Sequence, residues 1–258
     1  MERLRRMPRP ASRLACALGA TAALILLGGA CGGDASSQAS EGGGASDAAA
    51  IAAAAIGSSA TQGITESTNA PVVVHGVDLT GVGYDRGDPN APIVIVELSD
   101  FGCPYCAKHA LETLPLLESE YVEQGKVFYK YVPFVLGMFP NADRAVRAAE
   151  CAGRQGRFWQ MHDSVYANQN GWKRGSEPDA VLKRVGHAVV PDTAAWTACY
   201  TSNMTDSRTR AANDRAGRLK VRATPTMFVN GQIVQGALPM DVFREGLDAM
   251  LRGDDGSR

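Results

Sequence analysis

The four residues Cys103-Pro104-Tyr105-Cys106 carry the chemistry that is easiest to read in this sequence. Two thiols with two residues between them, at the start of a helix, lie one turn apart and can close a disulfide. Pro104 suits the first helical position, which needs no N–H and wants the φ angle proline already has. Cys103 then falls at the N-cap. Its sulfur meets the unpaired N–H groups of the first turn and the positive end of the helix dipole. Both favour thiolate, so Cys103 is expected to ionise below the free value of about 8.5. Cys106, one turn further in, is expected to be the more buried, resolving thiol. A stabilised thiolate favours the reduced pair and so makes the disulfide more oxidising. The chemistry indicated is disulfide exchange with other thiols.

Two other uses of the pair are open to these residues. With His109 it forms Cys103-x-x-Cys106-x-x-His109 on one helical side, a partial zinc or copper set with no obvious fourth ligand. A purely structural disulfide across one turn closes so small a loop that it constrains little of the unfolded chain.

The elements that must position the pair follow from patterning. Pro92 to Leu98 is a continuous apolar run, as expected of a central strand buried on both faces. A helix is predicted from Pro104 to about Gln124. Lys126 to Pro133 alternates and reads as a second strand parallel to the first, completing a β-α-β unit. The period then becomes helical from Asn141 to about Leu219, in segments 143–154, 157–168, 178–189, 191–201 and 205–219. Asn168-Gln-Asn-Gly171 and Gly175-Ser-Glu-Pro178 read as loops between some of them. Strand character returns at Thr226 to Val229. Asn230-Gly231 is a two-residue hairpin turn, and Gln232 to Gln235 pairs back. Asp241 to Arg252 is read as a final helix packing on the sheet through Val242, Phe243, Leu247 and Leu251. The fold class is α/β, a β-α-β half and a β-β-α half interrupted by an α-helical insertion.

The front of the chain bears on compartment. Arg3, Arg5, Arg6, Arg9 and Arg13 precede an apolar stretch, Leu14 to Leu27, of signal-peptide length. Gly28-Gly-Ala-Cys31 resembles the lipobox of bacterial lipoproteins, with Cys31 as the lipidation site, although Gly28 stands where a Leu-like residue is usual. Cleavage after Ala30 is the competing reading. Residues 32–70, rich in Gly, Ala and Ser, read as a disordered tether. Within it, Asp47 to Gly57 carries a short helical pattern.

Six cysteines divide accordingly. Cys16 leaves with the signal, Cys31 is the lipid site and Cys103 and Cys106 form the active pair. Cys151 and Cys199, both in helical segments, either bridge each other or remain two buried thiols. Losing the signal would remove five arginines and one glutamate from 26 basic and 27 acidic residues, a formal charge of −5. No basic patch points to nucleic acid.

The stretch Val96-Glu-Leu-Ser-Asp-Phe-Gly-Cys-Pro-Tyr-Cys106, with Val221-Arg-Ala-Thr-Pro-Thr-Met-Phe-Val-Asn-Gly231 far downstream, resembles the DsbA-like family of bacterial thiol-disulfide oxidoreductases. The match spans about residues 77 to 252. It implies a thioredoxin fold over 71–138 and 220–252, with 139–219 inserted and 253–258 a tail. It implies that Thr224-Pro225 is the cis-proline loop facing the CxxC, where an extended substrate segment can pair. An ordinary trans proline is the alternative. Glu97, six residues before Cys103, stands where the family has a buried acid that shuttles the proton of Cys106. Burial among aliphatics would raise its pKa, and an edge Glu reaching water is the alternative. Tyr105 stands where the most oxidising members have His, so it supplies no cation to Cys103.

The remaining histidines, His75, His162 and His187, read as surface or core residues, and Phe158-Trp159 as core. Phe134 to Phe139 offers a groove beside the pair. The expected function is an extracytoplasmic disulfide oxidase acting on reduced or unfolded secreted proteins, with no cofactor and no metal. As the resemblance implies, a DsbB- or VKOR-like membrane oxidase would reoxidise it, and the lipid anchor would hold it at a membrane. The same chemistry run as a reductase or isomerase is the first rival, and a copper- or zinc-binding module the second.

Overall fold

A computed structural model describes residues 70–202 and 204–253. The proposed signal, lipid site, tether and short helical pattern before residue 70 lie outside the described residues, as does all but the first residue of the tail.

The chain opens with a small antiparallel hairpin, β1 (Val73–Val74) and β2 (Val77–Asp78). β3 (Tyr84–Arg86) and β4 (Ile93–Ser99) follow. Helix α1 then runs without a break through Pro104–Lys108, His109–Thr113, Leu114–Leu117 and Glu118–Val122. Its second and fourth segments are π turns. Pro115 sits just after the first of them. An interior proline gives no N–H and crowds the carbonyl four residues back, and a widened turn accommodates that. β5 (Val127–Pro133) completes the parallel pair with β4, Ile93 facing Val127 and Ser99 facing Pro133.

Six helices then intervene: α2 (Ala142–Gly153), α3 (Phe158–Ala167), α4 (Gln169–Arg174), α5 (Pro178–Val189), α6 (Thr193–Thr201) and α7 (Asp206–Arg218). The chain returns through β6 (Thr226–Val229), antiparallel to β4, and β7 (Gln232–Gln235), and ends in α8 (Met240–Arg252). The sheet order is β3-β5-β4-β6-β7. Asn230 and Gly231 both have positive φ, 44° and 84°, as a two-residue hairpin turn requires.

β4 explains its apolar run. Ile93 and Ile95 face one core, shared with α1, the insertion and α8. Val96 and Leu98 face a second, shared with Val72 to Val82 and with Ala212 and Ala216 of α7. Both faces of the strand are therefore dry, as in parallel sheets generally.

Three readings need correction. β5 alternates in sequence, yet every residue of it is buried. Lys130, with no exposed surface, pairs at 2.5 Å with buried Asp85 of β3, a strand the sequence reading had not placed. The Asn168 to Gly171 segment is largely the first turn of α4 and not a loop. In α8 the buried stripe is Met240, Phe243 and Leu247, while Val242 and Leu251 are 44% and 37% exposed. Val242 lies about 100° round the helix from Phe243, whereas Leu251 is one turn beyond Leu247 on the same side and is exposed in the last turn of the helix. His75 is exposed, as a surface histidine would be. Its Nε2 lies 2.8 Å from the Gly231 carbonyl oxygen, and its ring meets Phe228 edge-on.

Candidate active site

β4 points Glu97 and Ser99 to the same face, because strand side chains alternate. The strand ends at Ser99, and the turn Asp100 to Gly102 leads into Cys103. Cys103 is the N-cap of α1 with extended backbone, φ −78° and ψ 126°, and Pro104 takes the first helical position. Gly102 is required for space, since a Cβ there would stand 2.3 Å from Cβ of Phe139. This contact brings the end of the 134–139 segment against the turn. Phe134 is buried, and Met138 is 65% exposed.

The Thr224–Pro225 bond is cis. The Cys103 thiol donates to the Thr224 carbonyl oxygen at 3.3 Å, so this loop and the CxxC face one another. Pro225 gives its own carbonyl to the Gly236 N–H at 2.9 Å, which ties the loop to the end of β7. Tyr105 is 64% exposed beside the pair.

Cys103 and Cys106 are both free thiols and both buried, Cys106 completely. Their environments push them apart. The Cys106 thiol, aimed at Cys103, is the main influence drawing its pKa down to about 5, against the opposing effect of burial. The Thr224 hydroxyl and the N–H groups of Cys106 and Tyr105 add to it, although the Cys103 sulfur makes no regular capping hydrogen bond. Burial pushes the Cys106 thiol well up, and the neighbouring Cys103 and Glu97 push it further. One sulfur is thus built to carry charge and the other to hold its proton.

Glu97 is 1% exposed and accepts a hydrogen bond from the Tyr129 hydroxyl. The same hydroxyl lies 3.4 Å from Nε2 of His109. His109, read in sequence as a possible third metal ligand, turns to Tyr129 and to the ring of Phe243. Burial holds its pKa below the usual value, so it stays neutral. Among the described residues, no group of three or more His, Cys, Asp or Glu side chains is placed to hold a metal ion.

Several residues at the site were not singled out in the sequence. Ser99 Oγ lies 3.1 Å from the Tyr166 hydroxyl, which lies 2.9 Å from the Tyr131 hydroxyl. Asp100, completely buried, accepts from Gly102 N–H at 2.8 Å and from Leu136 N–H at 2.9 Å. Burial raises its pKa to about 6. Gln169 of α4 donates to the carbonyls of Phe101 and Cys103. Only Ser99, two residues beyond Glu97 on one strand face, had a local signal.

Away from the pair, Cys151 and Cys199 form a disulfide joining α2 to α6, with Cα atoms 5.8 Å apart. Phe158 and Trp159 are core, and His162 is fully buried among aromatic rings. His187, on the exposed side of α5, meets Thr197 Oγ1 at 2.9 Å.

A family model described as Thioredoxin matches residues 80–249. The chain belongs to the thioredoxin family. Within that family its α/β core, with helices inserted between β5 and β6, and its relatives are those of the DsbA-like thiol-disulfide oxidoreductases. "Probable disulfide bond formation protein D" of Bacillus anthracis is 28% identical over 173 residues, 64% of this chain and 77% of that protein. A second match lies within "Na(+)/H(+) antiporter NhaA 3" of Salinispora tropica. It is 32% identical over 178 residues, 66% of this chain but only 26% of the antiporter. The crystal structure of oxidised BdbD from Bacillus subtilis superposes with a TM-score of 0.61 at 18% identity, covering 73% of this chain and 99% of that one. This thioredoxin-family chain is an enzyme of thiol-disulfide exchange.

Proposed function

We propose that this protein is a disulfide oxidase, transferring the Cys103–Cys106 disulfide to reduced proteins outside the cytoplasm. The observation that carries the reading is the 3.3 Å approach of the Cys103 sulfur to the Thr224–Pro225 loop, with Cys106 sealed behind it. A substrate thiolate attacks Cys103 of the oxidised pair. The Cys103–Cys106 bond breaks, Cys106 leaves as thiolate and takes up a proton, and a mixed disulfide with Cys103 forms. A second substrate thiolate attacks the substrate sulfur of that bond and Cys103 leaves as thiolate. Two electrons have passed to the enzyme and the substrate carries a new disulfide.

Each residue has a part. Backbone at Thr224 and Pro225 aligns an extended substrate segment, as in strand addition. Exposed Tyr105 borders that segment. Glu97, tied to Tyr129, passes the proton that Cys106 gains or loses. A low thiolate pKa makes Cys103 a good leaving group and the disulfide oxidising. Tyr105 supplies no cation, so this depends on backbone and hydroxyl donors. Reoxidation falls to a membrane oxidase of the DsbB or VKOR kind. The basic, apolar and Cys31-ended front of the chain supports export and a lipid anchor. Among the described residues, no helix is long and apolar enough to cross a membrane.

The test uses reduced RNase as substrate. Cys106→Ser is expected to accumulate mixed disulfides through Cys103, and Cys103→Ser to lose oxidation and trap nothing. Normal RNase oxidation by Cys103→Ser would overturn the mechanism. A potential of the pair below that of thioredoxin, about −270 mV, would replace the oxidase with a reductase.

A further inference from the structure

We propose that Gln169, a side chain of the helical insertion, is a positioning residue for disulfide exchange: its amide holds the backbone turn that presents Cys103. Its Nε2 donates to the Phe101 carbonyl at 2.6 Å and to the Cys103 carbonyl at 2.9 Å, across 68 and 66 residues of chain. A side-chain amide nitrogen carries two hydrogens, so both are used. The side chain is 7% exposed, so water does not substitute readily for either carbonyl's partner.

These two carbonyls flank Gly102, and the turn between them is held on its other sides as well. Asp100 takes the Gly102 N–H on its carboxylate and the Cys103 N–H on its backbone oxygen at 2.9 Å. Phe139 closes the space above Gly102. The Cys103 carbonyl also receives the Ala107 N–H at 3.1 Å, the first hydrogen bond of α1. Gln169 therefore acts at the joint between turn and helix. That joint fixes where the Cys103 sulfur lies relative to the Cys106 thiol, the first-turn N–H groups and Thr224. Donors of this kind act over a few tenths of an ångström, so a loosened joint weakens all of them together. Among the groups holding the turn, Gln169 belongs to the insertion. The helical domain thereby bears on the reactivity of a sulfur carried by the sheet domain.

The chemistry of the side chain fits this use. Two buried carbonyls require a neutral group with two hydrogens. A glutamate would set a carboxylate against two carbonyl oxygens, and a methionine of similar length would leave both unpaired.

The inference rests on Cys103 being the attacked sulfur, and its test is independent of any substrate. Thiolate absorbance of the reduced full chain is titrated against pH for wild type, Gln169→Met, Gln169→Glu and Asn170→Ala. Gln169→Met is expected to raise the Cys103 midpoint by about one unit, the worth of one hydrogen bond to a reacting group. A thiolate stabilised tenfold less also makes the disulfide about 30 mV more reducing. Gln169→Glu is expected to raise the midpoint at least as far. Asn170→Ala, exposed on the same helix, is expected to leave it in place. An unchanged midpoint and potential in Gln169→Met overturns the proposal, even if thermal stability falls. Should Gln169→Met not fold, Gln169→Glu, nearly the same shape as glutamine, supplies the same reading. Failure of the functional reading shows separately, as RNase oxidation surviving in Cys103→Ser.

Discussion

The sulfur of Cys103 and the carbonyl oxygen of Thr224 stand 3.3 Å apart, although 121 residues separate them in the chain. The contact spans the sheet domain from the end of β4 to the start of β6, and the whole helical insertion lies between them in sequence. A substrate that pairs with the loop at Thr224 meets the Cys103 sulfur within the same few ångströms. The site is thus a seam between two halves of the fold.

Reduced protein is expected to outlast oxidised protein at neutral pH, and less so in acid. The folded pKa of Cys103, about 5, is depressed from an ordinary 9.0. Such a group adds stability that is full above the unfolded pKa and is lost as pH falls through the folded one. At pH 7 the pH-dependent part is about 2–3 kcal/mol in favour of the reduced form. Urea denaturation of both forms at pH 7 and pH 4 measures it. A gap that does not narrow at pH 4 contradicts the depressed pKa.

Asp100 has the opposite sign. Its folded pKa, raised by burial to about 6 from 3.8, lets the native state hold a proton the unfolded chain has released. That contribution is full below about pH 4 and is lost as pH rises through 6, by roughly 2–3 kcal/mol. Asp100→Asn removes the titration. Its stability relative to wild type is expected to improve steadily from pH 4 to pH 7, after a constant loss from the altered bonds to Gly102 and Leu136. A difference that stays flat over that range rules the assignment out.

Tyr129→Phe strips the buried Glu97 of a hydroxyl donor and removes the hydroxyl that lies 3.4 Å from Nε2 of His109. Leaving a buried acceptor unsatisfied costs about 1–3 kcal/mol. Glu97→Leu removes the acceptor itself, so the double variant is expected to lose less than the sum of the two. Chemical denaturation of the four proteins closes the cycle, and strict additivity would mean the two groups do not interact.

Replacing Cys151 and Cys199 together by Ala opens a cross-link spanning 48 residues and is expected to cost about 2–4 kcal/mol. The bridge joins α2 to α6 and includes neither active thiol. Turnover per folded molecule at low temperature should therefore remain near wild type. Loss of turnover without loss of stability would tie this bridge to catalysis.

Much of the site was legible because its signals are local. Pro104 after Cys103 placed an N-cap, and the thiol pair one turn apart followed from helix geometry. The dry run Ile93 to Leu98 marked the central strand, and Asn230-Gly231 marked its hairpin neighbour. The facing loop at Thr224-Pro225 and the buried acid at Glu97 were read from the family resemblance, since no local pattern ties them to Cys103. The misreadings have physical causes too. The alternation of β5 gave no sign that Lys130 is buried, because its partner, Asp85, lies on a three-residue strand too short to show a period. Gln169 sat in an Asn-Gln-Asn-Gly stretch with the composition of a turn, and tertiary packing made it helical.

The order of the β-α-β and β-β-α elements, the thiol pair and the interruption by helices were determined by the sequence itself. Periodicity, capping and turn geometry act within a few residues, so they are written in the residues themselves. Which groups surround the pair was decided only by the tertiary structure. Tyr129 on Glu97, Asp100 on Leu136 and Gln169 on the Cys103 carbonyl join residues 32 to 66 positions apart. Such contacts depend on how finished elements pack, and their strength comes from burial, which no short stretch of chain possesses alone.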